Sequence, residues 1–149
     1  MAAQSQPHYA LRLPPVACLV YRCRVPSLLV MLGGAVGSVL RYWMNVGLVQ
    51  LLGPELPYGT FAVNVVGSFL IGVLSVLGVG HSWLGVELRL VLGTGVLGGF
   101  TTYSSFNLET LRLAQQGDLA RAVSYVALTL VSCLCAGALG LWVSGRMLR

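Results

Sequence analysis

The chain has 149 residues, 56% hydrophobic and only 9% charged. A soluble domain carries about 25% charged residues, so this composition excludes an ordinary soluble enzyme and belongs to an integral membrane protein of several spans. The net charge of +5 comes from arginines with no lysine, scattered between apolar runs, which marks membrane flanks rather than a nucleic-acid-binding arm.

Residues 1–26 stand apart. Pro7, Pro14, Pro15 and Pro26 are expected to break any long helix, and Arg12, Arg22 and Arg24 interrupt the apolar residues. The apolar region is short for a signal peptide and lacks a convincing cleavage site. The segment reads as a disordered or loosely membrane-associated extension, with Met31 as an alternative start, and 27–149 as the membrane domain.

The uncharged runs are 25–40, 56–86, 90–108 and 122–145. A span needs about 20 apolar residues, which predicts four helices: 27–50, 58–79, 87–115 with a discontinuity near 98–103, and 119–145. Gly53-Pro54, Pro57, Gly80-His81-Ser82 and Gln115-Gln116-Gly117-Asp118 supply the turns.

In the first span, Gly33-Gly34-Ala35-Val36-Gly37 has the small-residue spacing of a close helix contact. Arg41 has two readings. It faces a vestibule or an acidic partner, or, beside Tyr42-Trp43, it is an interfacial anchor whose side chain snorkels. In the second span Asn64, Ser68, Gly72 and Ser75 form one polar and small stripe at helical spacing. Such a stripe suits a helix contact, but the Asn64 amide needs partners and can donate to an anion, in a pore or in a structural network.

The third span holds Gly98-Gly99-Phe100-Thr101-Thr102-Tyr103-Ser104-Ser105-Phe106, a poor continuous helix at membrane depth. Exposed backbone cannot face lipid, so a break there is buried in protein or lines a polar cavity. Broken helices at this depth mark ion and substrate sites. Glu109 lies three residues past Phe106 and can cap, pair with an arginine, or sit at a pore mouth. In the fourth span Tyr125, Thr129 and Ser132 or Cys133 repeat at helical spacing, as pore lining or as hydroxyls bonded one turn back. Cys133-Leu134-Cys135 puts its thiols on different sides of a helix, a poor geometry for a disulfide or a tetrahedral metal. No nucleophile–base pair, metal-ligand cluster or phosphate loop is evident, so the chain is not read as an enzyme.

Four spans place both termini and the 80–86 loop on one side, with six arginines against two (Arg112 and Arg121), predicting cytoplasmic termini. Counting from Met31 leaves three against two. That bias is too weak to fix one orientation, and a chain inserting both ways can pair antiparallel with itself.

Three motifs then stand in order. Gly33-Gly34-Ala35-Val36-Gly37-Ser38-Val39-Leu40-Arg41-Tyr42 resembles the first span of the Fluc (CrcB) fluoride channels. Pro57-Tyr58-Gly59-Thr60-Phe61-Ala62-Val63-Asn64-Val65-Val66-Gly67-Ser68-Phe69 is similar to their second-span motif, and Gly98–Phe106 followed by Glu109 to their third-span break. The likeness covers about residues 28–148.

The resemblance implies an all-α membrane protein of four helices with the third broken, forming an antiparallel, dual-topology homodimer with two pores. Its members passively export fluoride across the bacterial inner membrane and so relieve fluoride toxicity. It implies a structural sodium ion held by the backbone carbonyls of Gly98 and Thr101. It also implies pores lined by Asn64, Tyr103 and Phe106, with a polar track of Tyr125 and Thr129. Arg41, Ser68 and Glu109 are expected in vestibule or supporting roles. Tyr103 departs from the phenylalanine usual in the family, and Cys133 falls where a further hydroxyl often continues the track. The rival reading, a dual-topology small multidrug exporter of similar length, relies on a glutamate embedded in the first span, and none is present here. A third reading, a small assembly subunit packed by its glycines, leaves Asn64 and the break unexplained.

Overall fold

The computed structural model describes residues 15–80 and 85–147. Residues 1–14, the His81-Ser82 turn and Arg149 lie outside the described residues. The described part is helical. The first helix, α1 (Pro15–Leu52), is longer than expected at its start. Pro26 lies inside the helix; it forfeits one ladder bond and crowds the carbonyl four residues back, a local cost that membrane helices tolerate, so the interruption expected there does not occur. The helix stops at Gly53, whose φ of +83° is a left-handed conformation suited to glycine. Its N–H donates to the Val49 carbonyl at 2.9 Å, and Pro54 prevents continuation.

The second helix, α2 (Tyr58–Gly80), begins directly after Pro57. The third predicted span is two pieces. The first is a continuous rod made of α3 (Val86–Arg89), a π-helical stretch (Leu90–Leu97) and α4 (Gly98–Phe100); the second is α5 (Tyr103–Gln115). At about 1.5 Å per residue each piece is roughly 20 Å long, short of a hydrocarbon core of about 30 Å. The last helix, α6 (Leu119–Met147), is started by Asp118, whose Oδ1 accepts the Arg121 N–H at 3.0 Å.

Among the described residues, three segments are long and apolar enough to cross a membrane: Pro26–Leu52, Tyr58–Leu77 and Leu119–Met147. Their outer faces carry exposed Leu32, Val66, Leu128 and Leu134, which in a bilayer meet lipid or another protein surface. Glycines set the helix contacts. A Cβ on Gly37 would overlap the Val96 carbonyl oxygen, and one on Gly33 would come within 2.7 Å of the Val91 carbonyl oxygen. The Gly33–Gly37 motif therefore does bring α1 against the π-helical stretch. Gly72 meets the Gly137 backbone, and Gly140 the Phe69 backbone, so α2 lies equally close along α6. Gly98 and Gly99, expected within the discontinuity, are instead helical. Gly99 has no room for a Cβ against the Gly34 backbone, so close packing on α1 explains it.

Candidate functional site

The break is confined to Thr101 and Thr102. Their backbones are extended, with φ/ψ of −80°/156° and −152°/110°. Each threonine closes one helix end. Thr101 gives both its N–H and its Oγ1 hydroxyl to the Leu97 carbonyl, each at 3.0 Å, ending the rod. Thr102 caps α5, its Oγ1 accepting the Ser105 N–H at 3.2 Å. The Ser104 and Ser105 hydroxyls lie 3.3 and 3.1 Å from that oxygen.

Asn64 on α2 bridges the break. Its Oδ1 accepts the Thr102 N–H at 2.8 Å, and its Nδ2 donates to the Thr102 carbonyl at 3.1 Å. In an unbroken helix the Thr102 N–H would bond the Gly98 carbonyl four residues back. Diverting it to Asn64 releases that carbonyl. The amide keeps one further N–H for another acceptor. On the other side, Arg41 Nη1 reaches the Thr101 carbonyl at 3.4 Å, a long contact, while Tyr42 and Trp43 are exposed. Arg41 is thus directed at the break and meets a carbonyl rather than a carboxylate.

Two cavities share Asn64 and Thr101 in their walls. One, of about 240 Å³, is lined also by Thr102, Tyr103, Phe106, Thr129 and Cys133. The other, of about 290 Å³, is lined also by Ser68, Gly93, Leu97 and Gly98. Neither lining contains a charged side chain. The stripe on α2 thus divides: Asn64 and Ser68 face cavities, Gly72 packs on α6, and Ser75 bonds its own Gly72 carbonyl at 2.8 Å.

The aromatic residues form a chain of ring contacts. Tyr103 and Phe106 have centroids 5.7 Å apart, Phe106 and Tyr125 5.3 Å, with the planes inclined by 53° and 49°. Phe106 and Tyr125 are buried, whereas Tyr103 is 77% exposed. Tyr125 stands apart from the 240 Å³ cavity. Its hydroxyl donates to Glu109 Oε2 at 3.0 Å, and the buried Thr60 donates to Oε1 at 2.7 Å. Thr60 precedes Asn64 by one turn and extends the same stripe, and that spacing is the sequence signal for its place here. Thr129 lines the 240 Å³ cavity, and its buried Oγ1 makes no hydrogen bond. Leu130 and Cys133 of α6 share that wall, and Ser132 does not.

The donors facing the first cavity are neutral: an amide N–H, a threonine hydroxyl and a thiol, with ring edges beside them. Such a set accepts an anion without fixing a counter-charge. The two carbonyls at the break have the opposite polarity. They are hard oxygen donors suited to a small hard cation, and Gly98 fits because its helical partner is diverted. Arg41 already touches Thr101, so a cation there would share that oxygen with a guanidinium.

A family model described as CrcB-like protein, Camphor Resistance (CrcB), matches residues 28–141. Relatives are similar over most of their own length. The protein named Fluoride-specific ion channel FluC of Sorangium cellulosum is 50% identical over 117 residues, covering 78% of this chain and 92% of its own. The protein of that name from Allorhizobium ampelinum is 48% identical over 118 residues, covering 76% and 94%. That of Caulobacter vibrioides is 46% identical over 127 residues, covering 80% and 95%.

Proposed function

The chain belongs to the CrcB family, and we propose that it is a fluoride-selective ion channel that passively exports fluoride from the cytoplasm and relieves fluoride toxicity. The observation that carries this reading is the break at Thr101–Thr102, with Asn64 bound across it beside an uncharged, donor-lined cavity. Fluoride is small and strongly hydrated, so a path must replace its water with fixed donors. Here the remaining Asn64 N–H and the Thr129 hydroxyl supply hydrogen bonds, while Tyr103 and Phe106 present positive ring edges. With no fixed charge in the lining, the ion leaves as readily as it enters.

The two short pieces together make the third of four crossings, and the chain works as an antiparallel, dual-topology homodimer in the bacterial inner membrane. Three observations support this arrangement. The exposed position of Tyr103 leaves its ring without a wall opposite. Gly98 is exposed at the break. The arginine bias beyond Met31 is weak. The carbonyls of Gly98 and Thr101 would hold a sodium ion, which when bound adds positive potential beside the anion path and ties two copies together. Asn64 keeps the Gly98 carbonyl released, and Arg41 bears on the Thr101 carbonyl.

The test is fluoride efflux from liposomes containing purified protein, with chloride as control. Rapid fluoride loss with chloride retained is expected; equal leakage of both ions, or of neither, overturns the reading.

A further inference from the structure

We propose that Cys133 makes conduction through this chain sensitive to thiol modification, because this residue stands in the wall of the cavity shared by Asn64, Tyr103, Phe106 and Thr129. The proposal rests on the channel reading above. Cys133 is partly exposed and free, and it lies one helical turn past Thr129 on the same face of α6. Thr129 is 4% exposed, and its Oγ1 makes no hydrogen bond, not even to the carbonyl one turn back that usually takes it. A buried hydroxyl without a partner costs free energy unless something enters to meet it. This wall is therefore built to receive a polar guest, and Cys133 faces the same space.

The nearby Cys135 is exposed on α6 and absent from the lining of this cavity. Two residues along a helix turn the side chain by about 200°, so the pair reports on two different faces. The matching reagent is a small anionic methanethiosulfonate bearing a 2-sulfonatoethyl group. The Cys133 thiolate attacks the reagent sulfur that carries this group, and a new S–S bond forms. The S–S bond of the reagent breaks, methanesulfinate leaves with the electron pair, and the thiol proton goes to water. The product fixes one negative charge inside a space of about 240 Å³, where low dielectric makes repulsion of fluoride strong.

The experiment measures fluoride efflux from liposomes before and after the reagent for the full chain, Cys133→Ser and Cys135→Ser. Each rate is compared with the same variant's own starting rate, and intact mass reports labelling. Efflux of the unmodified sequence and of Cys135→Ser should fall on the order of tenfold or more and recover with dithiothreitol, while Cys133→Ser keeps its starting rate. Block persisting in Cys133→Ser overturns the proposal, as does full labelling of Cys133 with efflux unchanged, or failure of Cys133 to label at saturating reagent. Absence of fluoride efflux before any reagent overturns the channel reading itself, and this proposal with it.

Discussion

Asn64 holds both backbone polar groups of Thr102, accepting its N–H at 2.8 Å and donating to its carbonyl at 3.1 Å. One side chain thereby satisfies the unpaired backbone that a break at membrane depth creates, and it releases the Gly98 carbonyl by the same bond. The break and the polar stripe of α2 are a single device.

Replacing Asn64 by alanine removes both bonds and leaves Thr102 without partners for its buried N–H and C=O. A loss of about 1–3 kcal/mol is expected for each such group. Thermal unfolding in detergent should report it, alongside a fall in fluoride efflux. Asn64→Asp is the sharper variant. It keeps the shape and the acceptor but sets a carboxylate oxygen against the Thr102 carbonyl and a negative charge beside the anion path. Efflux should fall at least about tenfold; wild-type efflux from Asn64→Asp is the result that contradicts this role.

Glu109 is held between α2 and α6 by two hydroxyl donors, Thr60 and Tyr125. Hydrogen bonds to a charged group are worth about 1.5–3 kcal/mol each. Thr60→Val and Tyr125→Phe should each lower stability by that order, and Glu109→Ala by more than either, since it strands both hydroxyls. A double-mutant cycle on Thr60 and Tyr125 checks the shared partner: additive losses mean that the two donors do not act through Glu109 as one unit.

Two glycines of α1 give opposite expectations for the same substitution. Alanine at Gly37 would put a Cβ into the Val96 carbonyl oxygen, while at Gly47 nothing lies within 4 Å. Gly37→Ala should destabilise by about 1–3 kcal/mol, as overpacking does. Gly47→Ala should stabilise by up to about 1 kcal/mol through helix propensity. Unfolding of the two variants side by side is the measurement, and equal shifts would show that α1 does not approach the π-helical stretch closely.

The legible and the hidden parts of this molecule divide along a physical line. The spans of α2 and α6 were readable because an uncharged run of sufficient length has one economical fate in a bilayer. Gly33 and Gly37 were readable because helix contacts in membranes select small residues at that spacing. The break was visible only to within a few residues. Gly98 and Gly99 look like helix breakers in water, but here both are helical, and Gly99 is the small surface that the Gly34 backbone of α1 lies against. Pro26 misled for another reason, since a proline inside a membrane helix is a local cost rather than a stop. Thr60 stayed hidden because a threonine in a span is most often bonded to its own helix, and its distant partner Glu109 leaves no local signal. That Asn64 would clamp Thr102 was beyond any pattern. It depends on two helices meeting at one height.

Tyr103 and Phe106 are adjacent rings with unequal surroundings, and that asymmetry separates two substitutions. Phe106 is buried against Tyr125 and walls the cavity below Asn64. Phe106→Ile keeps an apolar side chain but removes the ring edge and the inclined ring contact with Tyr125. It should cost roughly 1–3 kcal/mol in stability and slow fluoride efflux at least about tenfold if ring edges stand in for water. Tyr103 is 77% exposed, so its hydroxyl carries little of the fold. Tyr103→Phe should leave stability within about 0.5 kcal/mol and preserve efflux, because the edge facing the ion is kept. Stopped or electrode-monitored efflux of both variants at matched protein density decides the matter. Wild-type efflux from Phe106→Ile would falsify the aromatic part of the path. Loss of efflux in Tyr103→Phe would instead move the decisive contact from the ring edge to the hydroxyl.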